Sequence, residues 1–309
     1  MENNNMKILI GPSSFADQDR APLVKLENNG YSVLINPFRR KITKEELMEL
    51  LAEDVHGIIA GLETLDREVL ENSHLKVISR CGAGISNVDT SAAKELGIRV
   101  YNTPFGPTRA VAELTMGCLL SLIRQVPLMD RSLHDGKWNK LIGRQLKGMK
   151  ALIIGFGRIG QNVAQLLKAF EVEVMVCDPM FSNKSDVPHV MVNLEDALPQ
   201  ADIISLHASG SEQIIGPREL SLLKRGAFIL NAARGEVIDE SALADALDSG
   251  QVAGAWLDTF NQEPYSGVLK NYQQVILTPH VGSYTAEGRL QMELDAVENL
   301  IRGFREAGF

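Results

Sequence analysis

"ALIIGFGRIGQNVAQLLKAF", Ala151–Phe170, runs from an apolar strand through three glycines into an amphipathic helix, and its reading decides the fold. Gly155, Gly157 and Gly160 are spaced G-x-G-x-x-G. Spacing alone is a weak signal, because glycines are common in turns. The strand before the loop and the helix after it make it the opening of a βαβ unit. Gly155 permits the tight turn, Gly157 lets the backbone approach a pyrophosphate, and Gly160 allows close helix–strand packing. The helix start adds free N–H groups and the positive end of a dipole. The next strand, "VEVMVCD", ends at Asp178, eighteen positions beyond Gly160, where an acid can accept from both ribose hydroxyls. Asp178 repels a 2′-phosphate and no arginine follows directly in "DPMFSNK", so NAD is expected over NADP.

Strands and helices alternate outward from this loop in both directions. Upstream, "MKILI", "YSVLI", "HGIIAG", "LKVISR" and "IRVYN" are continuous apolar strands of the kind that fill parallel sheets. "TKEELMELLAED" begins with a capping box from Thr43 to Glu46, and Gly97 ends "TSAAKELG" as a C-cap. "TRAVAELTMGCLLSLIRQ" is a long helix apolar on most faces and expected to be buried. Downstream come "ADIISLH", "GAFILN", "GAWLDT" and "QVILTP", then one amphipathic helix with an apolar side of Leu290, Leu294, Val297 and Ile301. The class is α/β, with two doubly wound parallel-sheet domains, the second starting near residue 103.

Composition limits the partners. At 309 residues the chain has room for two domains, and 45% apolar residues are enough for real cores. A net charge of -8, with scattered lysines and arginines, argues against a nucleic-acid partner. Cys81, Cys118 and Cys177 show no C-x-x-C spacing, so no metal site and no disulfide framework are expected, and a reducing compartment fits. "MENNNMKILI" lacks a basic n-region, and no apolar run reaches membrane-spanning length; neither a signal peptide nor a membrane span is expected.

Three ionisable residues follow strand ends. Arg234 in "NAARGEVID" comes just after "GAFILN", at the sheet edge where ligands of open α/β sheets bind, and a guanidinium there suits a carboxylate. Glu263 in "FNQEPYSG" follows "GAWLDT", and His280 in "LTPHVGSY" follows "QVIL". Each alone is commonplace: a surface arginine, a solvated acid, a partly buried imidazole. Together, on the edge that carries a dinucleotide loop, they predict an active site.

The blocks "SRCGAGISNVD", "NTPFGPTRAVAEL", "GFGRIG", "VCDP", "NAARGEVIDESAL", "AGAWLDTFNQEP" and "LTPHVGSYT" resemble, in order, those of the D-isomer-specific 2-hydroxyacid dehydrogenase family. The phosphoglycerate dehydrogenase branch is the nearest in likeness. The resemblance implies an NAD-dependent enzyme interconverting a D-2-hydroxy acid and its 2-keto acid, with 3-phosphoglycerate among the candidates. The family's catalytic residues fall on Arg234, Glu263 and His280. Its cofactor contacts fall on Gly155, Gly157, Arg158, Ile159, Gly160, Asp178, Ala232, Asp258 and Thr108, and its substrate contacts on Arg80, Ala83, Gly84 and Arg234. It further implies a flavodoxin-like substrate domain split between 1–102 and 284–309, a Rossmann NAD-binding domain over 103–283, and a homodimer built through the first helix and the "DRSLHDGKWNK" arm; with the cysteine pattern, a cytoplasmic location is expected.

Departures from the family pattern bear on substrate. Ser86 stands in an acid's place in "SNVD", and "LHASGSEQIIG" lacks the proline usual after the "LH" block. Gly61 and Leu62 occupy positions where phosphoglycerate-active relatives resemble an Arg-Ser pair, leaving Arg80 for a substrate phosphate. Only 29 residues of this sequence follow His280, so an appended regulatory domain is not expected. Two alternatives share the scaffold. Formate dehydrogenase pairs its histidine with glutamine, which Glu263 speaks against. An NAD-sensing corepressor binds without turnover, and a full Arg–Glu–His set argues for turnover.

Overall fold

The computed structural model describes residues 6–181, 190–210 and 212–309. The first five residues, the stretch 182–189 that includes the end of "DPMFSNK", and Ser211 of the loop after the "LH" block lie outside them. The chain divides into two compact units, Met1–Pro107 with Ser283–Phe309, and Thr108–Gly282.

The first unit begins with β1 (Lys7–Ile10), α1 (Ala21–Asn28), β2 (Ser32–Ile35), α2 (Lys44–Leu51) and β3 (Val55–Ala60). It continues with α3 (Arg67–Glu71), β4 (Val77–Arg80), α4 (Thr90–Glu95) and β5 (Arg99–Asn102). Next in the chain come α5 (Pro107–Ile123), α6 (Val126–His134), β6 (Lys150–Ile154), α7 (Arg158–Ala169), β7 (Glu173–Cys177) and β8 (Val190–Met191). Then follow α8 (Leu194–Ala197), β9 (Ile203–Leu206), α9 (Pro217–Leu222), β10 (Ala227–Asn231), α10 (Glu240–Asp248), β11 (Val252–Leu257) and β12 (Val275–Leu277). The last element, α11 (Ala286–Glu306), belongs to the first unit.

Both sheets are parallel. The first has order β2-β1-β3-β4-β5, the second β12-β11-β10-β9-β6-β7-β8. Their central strands are apolar on both faces because helices cover both sides. Thr43 and Glu46 close the expected capping box at the start of α2. No single helix among the described residues is long and apolar enough to cross a membrane; α5 and α6, bent by 65°, pass such a test only as a pair.

The buried face of α11 departs from the sequence reading. Leu290 and Leu294 are half-buried, and the covered stripe is Met292, Ala296, Val297, Leu300, Ile301 and Phe304. The stripe is turned because α11 lies on β3, β4 and β5 of its own unit, and small residues set its approach. Ser79 Oγ donates to the Ala296 carbonyl at 2.8 Å. Gly57 leaves room for the Phe304 ring, and Gly303 rests on Val77 and Tyr101. Burial of each large side chain in this stripe contributes about 1.5–3 kcal/mol.

Candidate active site

The glycine loop joins β6 to α7. Gly155 has φ +90°, and a side chain there would meet the Ala208 N at 2.5 Å, so the turn requires glycine. A methyl on Gly160 would overlap the Gly155 carbonyl, which is the close helix–strand contact the spacing predicts. Gly157 faces open space, and no side chain caps the first turn of α7. Asp178, just after β7, reaches back to the loop. Its Oδ2 accepts from the Phe156 N–H at 2.6 Å and its Oδ1 from the Met180 N–H at 2.8 Å. Each oxygen keeps a second lone pair for another donor.

His207, after β9, stands behind Gly155. Its Nε2 lies 2.8 Å from Ser205 Oγ, and its buried Nδ1 has no partner among the described residues. Burial pushes this imidazole down to about 4, so it is neutral at working pH. A helix start whose N-cap is a glycine, a backbone that can be approached there, an acid for a ribose and a buried ring nitrogen without a partner among the described residues together fit a dinucleotide.

The ionisable residues converge on the same edge of the seven-stranded sheet. Asn231, fully buried at the end of β10, builds the turn that presents Arg234. Its Nδ2 donates to the Arg234 carbonyl at 2.9 Å, and its Oδ1 accepts from the Ala233 N–H at 3.0 Å. Arg234 Nη1 donates to the Ala233 carbonyl at 2.7 Å. Gly235 is pressed on the Phe260–Asn261 peptide so closely that a methyl would overlap it. That contact holds the Arg234 turn against the loop carrying Glu263.

Glu263 meets His280. The His280 Nδ1 lies 3.0 Å from Oε2 and 3.1 Å from Oε1, and the Phe260 N–H donates to Oε1 at 3.2 Å. Burial pushes the Glu263 carboxyl up, but the His280 ring, the Phe260 N–H and the Arg234 charge outweigh it and hold it below its ordinary value. His280 itself adopts φ +54°, a left-handed conformation that histidine tolerates better than most residues. With Nδ1 engaged by an acceptor, Nε2 is the nitrogen left for other chemistry.

Asp258 is committed to the turn that carries His280. Oδ1 accepts from Thr278 Oγ1 at 2.5 Å and from the Val281 N–H at 2.9 Å, and Oδ2 from the Gly282 N–H at 2.7 Å. Trp256 Nε1 donates to Thr278 Oγ1 at 3.0 Å, anchoring the same turn to β11. The sequence reading missed Asn231, Gly235, Trp256, Thr278 and His207. Thr278 alone left a signal, as a hydroxyl two residues before the histidine.

Other expected contacts lie as follows. Ala232 donates its N–H to the Leu206 carbonyl at 3.3 Å, and Thr108 lies in the first turn of α5. Arg80, Ala83 and Gly84 are in the first unit, at and just after the carboxyl end of β4. There Arg80 Nη1 donates to the Cys81 carbonyl. Among the described residues no group of three or more His, Cys, Asp or Glu gathers as metal ligands do.

A doubly wound parallel sheet with a pyrophosphate loop, a ribose acid and a histidine paired to a glutamate defines a nicotinamide-dependent oxidoreductase class. Residues 116–282 match the family model described as "D-isomer specific 2-hydroxyacid dehydrogenase, NAD binding domain". Over 298 residues the chain is 35% identical to the hydroxypyruvate reductase of Thermotoga maritima, covering 92% of this chain and 96% of that one. It is 32% identical over 286 residues to the D-3-phosphoglycerate dehydrogenase of Archaeoglobus fulgidus, covering 89% of this chain but 54% of that one. The chain thus spans about half the length of that relative. A crystal structure of the TT0316 protein from Thermus thermophilus superposes with a TM-score of 0.89 at 33% identity, covering 97% of both chains. The chain belongs to the D-isomer specific 2-hydroxyacid dehydrogenase family.

Proposed function

We propose that the protein interconverts a D-2-hydroxy acid and its 2-keto acid with NAD. The observation that supports this reading best is the Glu263–His280 pair beside the Arg234 turn, on the sheet edge that carries the glycine loop. Bound NAD supplies the hydride chemistry. Gly157 and the first turn of α7 receive the pyrophosphate, Asp178 the ribose hydroxyls, with Arg158, Ile159, Ala232, Asp258 and Thr108 around them. Arg234 grips the substrate carboxylate and polarises the reacting oxygen. His280 Nε2 takes the hydroxyl proton in oxidation and returns it to the keto oxygen in reduction. Glu263 holds the ring in the tautomer that frees Nε2. In the five-stranded unit the turn after β4 carries Ala83 and Gly84, whose N–H groups suit a carboxylate oxygen, with Arg80 beside them.

Small keto acids such as hydroxypyruvate and glyoxylate are the proposed substrates. The reading extends to a homodimer, supported by exposed apolar residues on α6 and the arm after it: Leu133, Trp138, Leu141 and Ile142. It extends to a cytoplasmic location, supported by three unpaired cysteines. The Glu263–His280 pair favours turnover over NAD sensing, since a sensor has no use for a proton relay. Purified protein mixed with a panel of 2-keto acids should oxidise NADH, preferring it over NADPH by at least about tenfold, as roughly 1.4 kcal/mol of discrimination gives. A panel without any turnover would refute the reading.

A further inference from the structure

The five-stranded sheet has order β2-β1-β3-β4-β5, so its connections reverse direction between β1 and β3. Open α/β sheets bind ligands at the carboxyl ends of the strands beside such a switch point. In this chain that place holds a carboxyl group. Glu63, three residues past the end of β3, is 1% exposed. Its Oε2 accepts from the Gly61 N–H at 2.6 Å. The same carboxyl lies against Gly11, the residue after β1, so closely that a methyl there would overlap it; a methyl on Gly61 would stand 3.0 Å from Oε1. Asn87 fastens the turn from the other side, its Nδ2 donating to the Glu63 carbonyl at 2.6 Å and the Gly61 carbonyl at 3.2 Å.

The surroundings give this acid only partial compensation. Arg80, at the end of β4, and Lys41 are the cations that act on it, and Arg80 also serves the Cys81 carbonyl. Burial pushes the Glu63 carboxyl above its ordinary value, and the Glu63 and Gly61 N–H groups with those two cations do not cancel the push. A buried group needed only to receive the Gly61 N–H could be an amide, so the carboxyl itself asks for an explanation.

We infer that Glu63 is a specificity-determining residue that turns away substrates bearing a second anionic group, restricting the enzyme to 2-keto acids with an uncharged tail. The inference rests on the dehydrogenase reading and on the five-stranded unit handling the substrate tail. An anionic tail at these strand ends either faces an ionised Glu63 through a poorly screened interior or draws a proton onto it. Both outcomes weaken binding. A hydroxyl or alkyl tail meets neither penalty. The same carboxylate offsets Arg80, which otherwise is the cation best placed for a phosphate.

The test compares kcat/KM with NADH for two pairs that differ in tail charge: hydroxypyruvate against 3-phosphohydroxypyruvate, and, matched in carbon number, 2-oxopentanoate against 2-oxoglutarate. The wild type should favour the uncharged member of each by at least about tenfold. Glu63→Gln, which keeps an acceptor for Gly61 without the charge, should shrink both ratios by about tenfold, through a lower KM for the charged acids. Glu63→Asp, which keeps the charge, should leave the preference in place, and the wild-type ratios stand whether or not either variant folds. Equal or better use of the charged acids by the wild type overturns the inference, as do ratios unmoved in Glu63→Gln. Those results leave the dehydrogenase reading intact, whereas no turnover of any keto acid overturns both.

Discussion

Single side chains divide the proposed chemistry into a grip and a proton relay. His280 presents Nδ1 to Glu263, so Nε2 is left to exchange a proton with substrate. Because general acid–base catalysis contributes roughly 10²–10⁴-fold, His280→Ala should cut kcat at least about 10²-fold and leave the Kd for NADH nearly unchanged. Glu263 is held below its ordinary carboxyl value, so it stays ionised until the pH falls beneath the normal carboxylate range. Glu263→Gln removes that charge at every pH. An amide can donate to Nδ1 as well as accept from it, so the tautomer that frees Nε2 is no longer fixed, and kcat/KM should fall by about tenfold or more in both directions. Profiles of kcat/KM against pH in both directions check this, and profiles that do not move would show that the pair has no catalytic part. Arg234→Lys keeps a positive charge but loses the planar fork that suits a carboxylate. Its KM for keto acid should rise and its kcat fall, each by about tenfold or more in steady-state assays, because one group both positions and polarises.

Elements matter because the three residues sit on separate loops. The turn after β10 and the loop after β11 are locked where Gly235 rests on the Phe260–Asn261 peptide. Gly235→Ala must push those backbones apart, and misplacement of about 1 Å can cost 10²-fold in rate. The expected result is a kcat lower by at least about tenfold with NADH affinity kept, measured by fluorescence titration beside steady-state kinetics. The turn after β12 is fixed differently, through the Trp256–Thr278–Asp258 chain. Thr278→Val leaves the indole N–H without its acceptor and takes one donor from Asp258. A buried donor without a partner costs about 1–3 kcal/mol, so denaturant unfolding should show a loss of that order, with kcat reduced as the His280 turn loosens.

At the scale of the whole molecule, acid stability reports the groups that folding buries. His207 is held down to about 4 from an ordinary 6.5. The unfolded chain therefore takes up a proton near pH 6.5 that the folded chain refuses until about pH 4. Stability from this group is complete above that window, falls as the pH drops through it, and levels off below it. Glu63 and Glu293 act in the opposite sense, since burial raises both and protonation favours the folded form. His207→Asn should thus flatten the loss of unfolding free energy between about pH 6.5 and pH 4, measured by urea titration. A slope equal to that of the wild type would show that the ring is solvated in the folded protein.

Local sequence was enough for the parallel α/β class, the glycine loop and the acid at the end of β7. Each rests on short-range physics: strand and helix periodicity, a turn that only glycine fits at φ +90°, and a fixed reach from loop to next strand. It was also enough to nominate Arg234, Glu263 and His280, since strand ends on one edge of a parallel sheet must lie near one another. Tertiary structure alone decided how they are held. Glu263 and His280 are 17 residues apart, and their hydrogen bond depends on how the loops after β11 and β12 close, which no local preference encodes. The same holds for Gly235 under a distant peptide, for the stripe of α11 that turns to meet β3, β4 and β5, and for the carboxyl of Glu63 beside Gly11. Each is a contact between segments far apart in the chain, and side-chain volume selects it only after the sheets have formed.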